Sequence, residues 1–449
     1  MSTTVDIVII GSGVAAQSIA FRCSSAGRSV MIIDSRPFGG TCELRGCEPK
    51  KILVNAADIV DWSRRMQGKG ISPAAAISWP DLQRYKRSFT DPVSASIEQG
   101  FQKAGIQMRH GRAHFVDQTT LQVGDETITA RFIILTNGAR HAPLDVPGEE
   151  YLITSTQFME LEELPRRIVF VGGGYIAFEF THVSARAGAE VHVIDRGARP
   201  LSKFDADLVA QLVQETEELG VKLHANTTLR SIEKHGDHFH VSAEEGSQQI
   251  DIEADLVVHA AGRVPEIEDL KLEVAGVKYD KGGITVNEYL QSVSNPAVYA
   301  AGDVVASGKL PLTPVATLQG DIVADNILNG SQRKPNYEGI PSVVYTIPPL
   351  ARVGLDEEAA KEQGLKFTTK KEDTSGWYSS RRVAISHSGF KVLIEDDTQR
   401  ILGAHLFGWH ADETINLIGL AIRNGLPASA LKDMVYAFPT SASDLNSMF

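Results

Sequence analysis

One pattern occurs twice in this chain, and that repeat constrains the fold more than any other feature. In the first copy, the apolar run Val5 to Ile10 leads into Gly11-Ser12-Gly13-Val14-Ala15-Ala16, a helical stretch and a strand ending on Asp34. Strand, Gly-x-Gly-x-x-Ala, helix, strand and acid form the dinucleotide-binding βαβ pattern. Gly11 makes the tight turn, Gly13 lets backbone approach a pyrophosphate, Ala16 permits close packing, and Asp34 is placed to bind ribose hydroxyls.

The second copy has the same spacing. Ile168 to Val171 precedes Gly172-Gly173-Gly174-Tyr175-Ile176-Ala177, and the following helix and strand end on Asp195. Asp195 follows Gly172 by 23 residues, as Asp34 follows Gly11. Two such units in one chain predict binding sites for two dinucleotides.

Cys42 and Cys47 lie just after the first unit, in Gly39-Gly-Thr-Cys-Glu-Leu-Arg-Gly-Cys-Glu-Pro-Lys-Lys51. In a regular helix this spacing gives a rise of ~7.5 Å and places the side chains on different faces. A disulfide requires Cα atoms within ~7 Å, so the pair closes only if Gly46 and Pro49 allow a distorted turn. Incidental thiols or half of a metal site are the alternatives, but a zinc site needs four ligands and the only other cysteine is Cys23.

Composition narrows the functional classes. With 44 basic and 56 acidic side chains, the net charge of -12 argues against nucleic acid or an anionic membrane as a partner. Three cysteines in 449 residues are too few for a secreted disulfide framework. The N-terminus has no secretory pattern and no apolar run approaches a membrane span, so we expect a cytoplasmic protein.

The remaining chain divides by pattern. Between the two units we expect helical segments at 54–65 and 79–104 and a strand at 132–135 before Thr136-Asn137-Gly138. Strands are also expected at 255–259 and 298–301, the latter leading into Gly302-Asp303. Beyond Gly339 the pattern predicts strands at 342–345, 367–371, 382–386, 390–395 and 401–406, and an amphipathic helix at 411–423.

These motifs together resemble the flavin-dependent pyridine nucleotide disulfide oxidoreductases, the group of glutathione reductase, dihydrolipoamide dehydrogenase and mercuric reductase. The resemblance covers the chain end to end. It implies an α/β fold with two Rossmann-like dinucleotide-binding domains and a C-terminal α+β dimerisation domain. The expected boundaries are 1–145 for the first part of the FAD domain, 146–265 for the NAD(P) domain, 266–338 for the return to the central domain, and 339–449 for the interface domain of a homodimer.

The resemblance also implies roles for individual residues. FAD would be bound by Gly11, Gly13, Ala16, Asp34, Thr41, Gly138, Gly302 and Asp303, and NADPH or NADH by Gly172, Gly174, Tyr175, Ala177, Asp195, Arg196 and Arg263. Hydride would pass from the nicotinamide to the flavin, and two electrons would then reduce a Cys42–Cys47 disulfide. Cys47 would be the thiolate facing the flavin and Cys42 the exposed nucleophile, with Lys50 and Glu179 as an ion pair beside the flavin.

Several of these residues also have plainer interpretations. Lys50 and Glu179 could be ordinary surface residues, Tyr175 could be a core residue, and Cys23 is expected to be a buried structural thiol. The choice of nucleotide is balanced, since Asp195 favours NADH whereas Arg196, Arg199 and Ala177 are typical of relatives that use NADPH.

The C-terminal tail departs from the family pattern. The disulfide reductases carry His-Pro-Thr followed by a glutamate, whereas this tail has Phe438-Pro439-Thr440 and Ser443. A phenyl ring transfers no proton, and loss of a positioned acid or base typically costs ~10²- to 10⁴-fold in rate. Either Tyr436, Asp444 or His410 replaces the base, or the acceptor supplies its own proton.

Three hypotheses follow. The first is a disulfide reductase whose acceptor is a small molecule or small protein. The second is a flavin reductase that acts on a quinone, a metal ion or another nicotinamide, with the cysteines idle. The third is a redox sensor without catalysis, against which the intact Lys50, Glu179 and cysteine pair argue.

Overall fold

A computed structural model describes residues 2–306 and 311–449 of the chain. It divides into two compact units. Unit 1 comprises residues 1–50, 85–142 and 262–337, and unit 2 comprises residues 51–84, 143–261 and 338–449. In the described residues, no helix combines the length and the apolar character that crossing a membrane requires.

The strands of unit 1 and unit 2 are given together in chain order. They are β1 (Ser2–Ile10), β2 (Val30–Asp34), β3 (Gln107–His110), β4 (Ala113–Phe115), β5 (Thr120–Val123), β6 (Glu126–Leu135), β7 (Ala139–His141), β8 (Ile153–Thr154), β9 (Arg167–Val171), β10 (Glu190–Ile194), β11 (Lys222–His224), β12 (Thr227–His235), β13 (His238–Glu245), β14 (Gln248–Ala254), β15 (Leu256–His259), β16 (Arg263–Pro265), β17 (Tyr279–Asp280), β18 (Gly283–Ile284), β19 (Val298–Ala300), β20 (Ser342–Val344), β21 (Leu350–Gly354), β22 (Phe367–Asp373), β23 (Gly389–Glu395) and β24 (Ile401–Phe407).

The helices are given in the same way. They are α1 (Val14–Ser25), α2 (Gly40–Arg45), α3 (Cys47–Arg65), α4 (Trp79–Thr90), α5 (Val93–Lys103), α6 (Ser155–Phe158), α7 (Tyr175–Arg186), α8 (Ala206–Glu218), α9 (Thr313–Asn329), α10 (Glu357–Glu362), α11 (Tyr378–Arg381), α12 (Ala411–Arg423), α13 (Ala428–Lys432) and α14 (Leu445–Met448).

The main sheet of unit 1 has the parallel order β3-β2-β1-β6, and β19 pairs in parallel with the C-terminal half of β6. The N-terminal half of β6 pairs instead with β5, which continues the sheet to β4. Apolar residues cover both faces, because a parallel sheet is flanked by chain on both sides. The carboxyl ends of β1, β2 and β6 therefore meet at one edge, where ligands bind in such sheets.

Unit 2 contains a second parallel sheet of order β11-β10-β9-β15-β8. Its core packs Phe170, Ala177 and Val183 together, and an antiparallel sheet β12-β13-β14 covers another side through Ile232 and Val241. The two dinucleotide-binding patterns thus form two separate parallel sheets, which confirms the predicted Rossmann-like pair.

The C-terminal part of unit 2 forms an antiparallel sheet of order β20-β21-β24-β23-β22. Helix α12 packs on it through Ile415, Ile418 and Ile422, which lie three and four residues apart on one helical face. The predicted helix at 411–423 is confirmed with the same bounds.

One local prediction in this part is wrong, and one strand is missing from the predictions. Residues 382–386 do not form a strand: the backbone amides of Arg382 and Val383 donate to Tyr378 and Ser380, and Ala384 has a φ of 55°. These hydrogen bonds continue the turn of α11 and leave no free edge for a sheet. Strand β21 was not predicted, although it is the central partner of β20 and β24.

Candidate active site

The first dinucleotide-binding loop lies between β1 and α1. Its backbone passes very close to the backbone of neighbouring segments. Gly11 has a φ of +101°, and a Cβ there would lie 2.4 Å from the carbonyl oxygen of Thr136. A Cβ on Gly40 would lie 2.4 Å from the Cα of Gly13. The glycines therefore let the loop, the end of β6 and the start of α2 come together, with Gly13 as the N-cap of α1.

Asp34 is held at the end of β2 by its neighbours. The Ser12 hydroxyl donates to its carboxylate at 2.6 Å, and the Arg36 backbone amide donates at 2.9 Å. The Gly39 amide in turn donates to the Ser12 hydroxyl at 3.1 Å. These bonds orient the carboxylate at the sheet edge, where an acidic residue binds ribose hydroxyls.

Several polar atoms near this edge lack a partner within the described chain. The Asn137 Oδ1 and the Arg263 Nε are both buried without a hydrogen bond. Burial raises the pKa of Asp303, next to Gly302, whose amide donates to the Gln319 side chain at 2.7 Å. Buried polar atoms without partners carry a large free-energy cost unless a ligand satisfies them. Unit 1 therefore fits the polar, phosphate-bearing FAD that the resemblance implies.

The two active-site cysteine candidates lie on either side of a break between helices. Helix α2 ends at Arg45, Gly46 has φ -142° and ψ -115°, and α3 begins at Cys47. A Cβ on Gly46 would lie 2.7 Å from the Thr41 carbonyl oxygen, so this turn needs glycine. The distortion expected at Gly46 is present, and it brings the two side chains into hydrogen-bonding contact.

The surroundings of Cys42 disfavour its charged form. The hydrogen bond with Cys47 and then burial raise the pKa of Cys42, whereas Thr313 lowers it. The expected exposure of Cys42 is wrong for the single chain, in which Cys47 is exposed and Cys42 is half-buried.

Sequence reasoning missed Thr313, the first residue of α9. Its hydroxyl oxygen lies 3.2 Å from the Cys47 sulfur. Thr313 is 266 positions away in sequence, so no local pattern connects it with the cysteines. The available signal was the Thr-Pro start of a helix, since Pro314 stands in the first turn of α9.

Lys50 and Glu179 are placed in different units. Lys50 is half-buried in the first turn of α3. Glu179 is 4% exposed on α7, and its carboxylate accepts a hydrogen bond from the Tyr345 amide at 2.9 Å. The interpretation of Glu179 as an ordinary surface residue is therefore wrong. Cys23 is fully buried, as expected, and burial raises the pKa of its thiol to about 11.

The second dinucleotide-binding loop repeats the first. Gly172 has a φ of +117°, and a Cβ there would lie 2.4 Å from the Ala260 carbonyl oxygen. Gly174 is the N-cap of α7 and Ala177 is fully buried beneath it. Tyr175 is 44% exposed at the first position of α7, so the alternative of a core residue is wrong.

The charged residues after β10 differ in whether they are free to bind a nucleotide or are engaged with other parts of the chain. A Cβ on Gly173 would lie 2.1 Å from the Asp195 carboxylate, which also accepts from the Gly197 amide at 3.3 Å. Burial raises the pKa of Asp195. The Arg199 guanidinium donates to the Phe204 and Ser202 carbonyl oxygens, whereas Arg196 is exposed. Of the two arginines, Arg196 is the one placed to reach a nucleotide.

Two of the three residues considered as replacements for the tail histidine already interact with neighbouring groups of the chain. The Tyr436 hydroxyl donates to the Leu431 carbonyl oxygen at 2.8 Å, and burial raises its pKa. Burial also raises the pKa of Asp444, which interacts with Ser379. His410 is exposed next to Trp409, and Phe438 itself is 82% exposed.

Comparisons with known proteins agree with this architecture. A model of the pyridine nucleotide-disulphide oxidoreductase family matches residues 5–320, and a model of its dimerisation domain matches residues 340–449. The mercuric reductase of Staphylococcus aureus is 32% identical over 98% of this chain and 81% of its own length. The glutathione reductase of Schizosaccharomyces pombe is 31% identical over 99% and 98%.

The solved structures include a similar chain. The Cu(II) complex of the HOCl-induced flavoprotein disulfide reductase RclA from Escherichia coli superposes with a TM-score of 0.88 at 26% identity, and the match covers 99% of both chains.

Proposed function

The chain belongs to the pyridine nucleotide-disulphide oxidoreductase family and is an NAD(P)H-dependent FAD enzyme, and from this premise we propose that Cys42 and Cys47 form its redox centre. The observation that carries the proposal is the contact between the two thiols across the helix break at Gly46, with Thr313 beside them. When bound, FAD accepts hydride from the nicotinamide and supplies two electrons to the cysteine pair.

The reduced pair then acts on a small-molecule or small-protein disulfide. Cys42 as thiolate attacks one sulfur of the acceptor, and the displaced thiol leaves with a proton. The Cys47 thiolate attacks Cys42 in the mixed disulfide, which releases the second thiol and closes the Cys42–Cys47 bond. The acceptor gains two electrons: the first departing thiolate takes the one proton held by the cysteine pair, and water supplies the proton for the second. NAD(P)H and FAD then restore the reduced pair.

The Cys42–Cys47 hydrogen bond suggests how Cys42 can be deprotonated without a histidine base. Phe438 offers no proton acceptor, whereas the side chains of Cys42 and Cys47 share a hydrogen bond. Transfer of that proton to Cys47 generates the nucleophile within the pair. We infer that Cys47 is both the resting thiolate and the base that activates Cys42.

The cofactor assignments extend this proposal. FAD is assigned to unit 1 through Gly11, Gly13, Ala16, Asp34, Thr41, Gly138, Gly302 and Asp303, and the nicotinamide nucleotide to Gly172, Gly174, Tyr175, Ala177, Asp195 and Arg196, with Arg263 on either ligand. The unpartnered Asn137 and Arg263 atoms in unit 1 support the first assignment. The Lys50–Glu179 ion pair and the four sequence-based domain boundaries remain predictions.

Replacement of Cys42 tests the disulfide reductase function. Cys42→Ser should abolish NAD(P)H-dependent release of thiols from a panel of disulfides, because serine cannot form the mixed disulfide. Anaerobic bleaching of the bound flavin by NAD(P)H should persist. Cys23→Ala, which removes the buried thiol of α1, is the matched control and should retain turnover. Thiol release that survives Cys42→Ser would remove the cysteine pair from the reaction.

A second candidate is reduction of a metal ion. Two observations favour it: Phe438 stands where a disulfide reductase needs a base, and a similar flavoprotein has been solved as a Cu(II) complex. A metal ion accepts electrons without needing a proton at the thiol. Reduction of Cu²⁺ at an undiminished rate in Cys42→Ser would favour direct electron transfer from the flavin over transfer through the thiols. Reduction of a quinone by the same variant is the equivalent measurement with an organic acceptor.

The assembly and location are also proposed. Residues 340–449 match a dimerisation domain, and Val435 and Phe438 are 95% and 82% exposed in the single chain. We infer a homodimer in which this apolar tail contacts the partner. The cytoplasmic location remains a prediction based on the three cysteines in 449 residues.

A further inference from the structure

A group of metal-ligating side chains lies in unit 2, outside the residues assigned to electron transfer. Glu215 and Glu218 are on the last turn of α8, and His387 lies in the segment between α11 and β23. One ligand atom from each lies within 4.8 Å of the others. In the described part of the chain, no other three His, Cys, Asp or Glu residues meet this criterion.

We propose that Glu215, Glu218 and His387 bind one divalent transition-metal ion, of which Zn²⁺ is the best match. Zinc takes imidazole nitrogen and carboxylate oxygen at ~2.0–2.2 Å, and three protein ligands leave a fourth position for water. Ligand atoms around a tetrahedral ion with such bonds lie ~3.4 Å apart, so side-chain rotations that close the present separations complete the site.

The negative charge of the two glutamates is not neutralised by a close cation, which favours binding of a metal ion. The nearest buried cation, Arg186, lies 3.9 Å from the Glu215 carboxylate but is 2.8 Å from Asp61, which is its main partner. The His387 Nε2 and the Glu218 carboxylate are 2.9 Å apart, which already aligns a nitrogen and an oxygen donor.

An independent observation points to a ligand at the same helix face. The side-chain oxygen of Gln211, one turn before Glu215, is buried without a hydrogen bond. Gln211 packs against Gly389, since a Cβ on that glycine would lie 3.0 Å from this oxygen. Gln211, Glu215 and Glu218 therefore face the 387–389 segment together, and a hydrated metal ion would satisfy the unpartnered oxygen through a bound water.

Zinc binding to the oxidised holoenzyme tests the proposal. In that form Cys42 and Cys47 form a disulfide and cannot bind zinc. Equilibrium dialysis against ZnCl₂ should show one Zn²⁺ per chain, and zinc should raise the unfolding temperature. Glu218→Gln and His387→Gln should each weaken binding at least ~10-fold. Glu218 is 53% exposed, so its variant should fold normally.

The controls separate this site from other zinc-binding groups. Glu217→Gln, an exposed change on the same turn of α8, should leave zinc binding unchanged. The rings of His235, which is exposed, and His240, which is half-buried, stack with their centroids 5.9 Å apart and are the competing surface site. Zinc bound to Glu218→Gln and His387→Gln with wild-type affinity, zinc lost only in His235→Asn/His240→Asn, or no zinc bound at all would each overturn the proposal.

Discussion

At the scale of single residues, the chemistry depends on the proton distribution between two sulfurs. The Cys42 S–H and the Thr313 hydroxyl both lie against Cys47. In the proposed mechanism, a hydrogen bond donated to Cys47 stabilises its thiolate, since hydrogen bonds to an ionised group favour its charged form. Both neighbours belong to unit 1, and neither is a histidine.

Thr313→Val tests this arrangement. The variant keeps the side-chain shape but loses the hydroxyl that contacts Cys47. A hydrogen bond to a charged group contributes ~1.5–3 kcal/mol and a pKa unit corresponds to ~1.4 kcal/mol, so the thiolate pKa should rise by about one unit or more. The measurement is the pH dependence of thiolate absorbance in the two-electron-reduced enzyme.

Thr317 provides the matched control for that experiment. It is exposed one turn further along α9, and its hydroxyl donates to the Thr313 carbonyl oxygen at 3.2 Å. Thr317→Val should leave the thiolate titration unchanged. An equal shift in both variants would mean that the effect arises from α9 as a whole rather than from the hydroxyl next to Cys47.

At the scale of elements, a buried ion pair joins α3 to α7 in unit 2. The Arg186 side chain is fully buried, and its guanidinium donates to the Asp61 carboxylate at 2.9 Å and to the Ile347 carbonyl oxygen at 2.9 Å. His182, also fully buried, lies 3.1 Å from the guanidinium. Because Arg186 has no access to water, its charge depends on Asp61.

Asp61→Asn should therefore destabilise unit 2. Removal of one partner of a buried pair leaves an uncompensated charge and typically costs ~3–5 kcal/mol. Urea denaturation should show this loss as a lower transition midpoint. Asp61→Leu combined with Arg186→Met removes both charges of this pair and should recover part of the stability. Recovery is incomplete because the Arg65 guanidinium, which donates to the Asp61 carboxylate at 2.6 Å, also loses its partner.

Asp58→Asn is the control on the same helix. Burial and then the neighbouring Asp61 raise the pKa of Asp58, so its charge is disfavoured in the folded chain. Neutralising it should leave the midpoint unchanged or raise it. A loss of stability as large as that of Asp61→Asn would show that any change on this face of α3 is disruptive, and would remove the special role of the Arg186 pair.

At the scale of the whole molecule, exposed apolar side chains of the dimerisation domain support the proposed homodimer. Val435 and Phe438 are exposed in the tail, and Tyr378 and Leu420 are also 63% and 60% exposed. Exposed apolar side chains that form a contiguous patch favour a protein interface. All four belong to residues 340–449, which match the dimerisation domain.

Light scattering should accordingly give twice the chain mass of 48.7 kDa. Val435→Glu places a charge within the expected interface and should shift the mass toward that of one chain, with a parallel loss of disulfide reduction. Val274→Glu adds a charge at a 43% exposed valine of unit 1 and should leave the dimer intact. A monomeric wild-type enzyme with full turnover would contradict the proposed assembly.

The sequence by itself determined the two dinucleotide-binding loops and the cysteine turn. A Cβ at Gly11 or Gly172 would collide with the backbone at the end of a neighbouring strand. Only glycine fits these positions, so the turns are recognisable from the residue type alone. Helix α12 was predictable for a similar reason, since its apolar residues follow the helical period.

Only the tertiary structure decided the features that depend on residues far apart in the chain. Thr313 contacts Cys47 across 266 positions, and Asp61 meets Arg186 across 125, without a local pattern at either end. The strand predicted at 382–386 failed because its amides bond back to α11, whereas β21 is a strand because it lies between β20 and β24. Local sequence specifies backbone conformation, such as the turns that need glycine. Contacts between distant parts of the chain determine which side chains form ion pairs and hydrogen bonds.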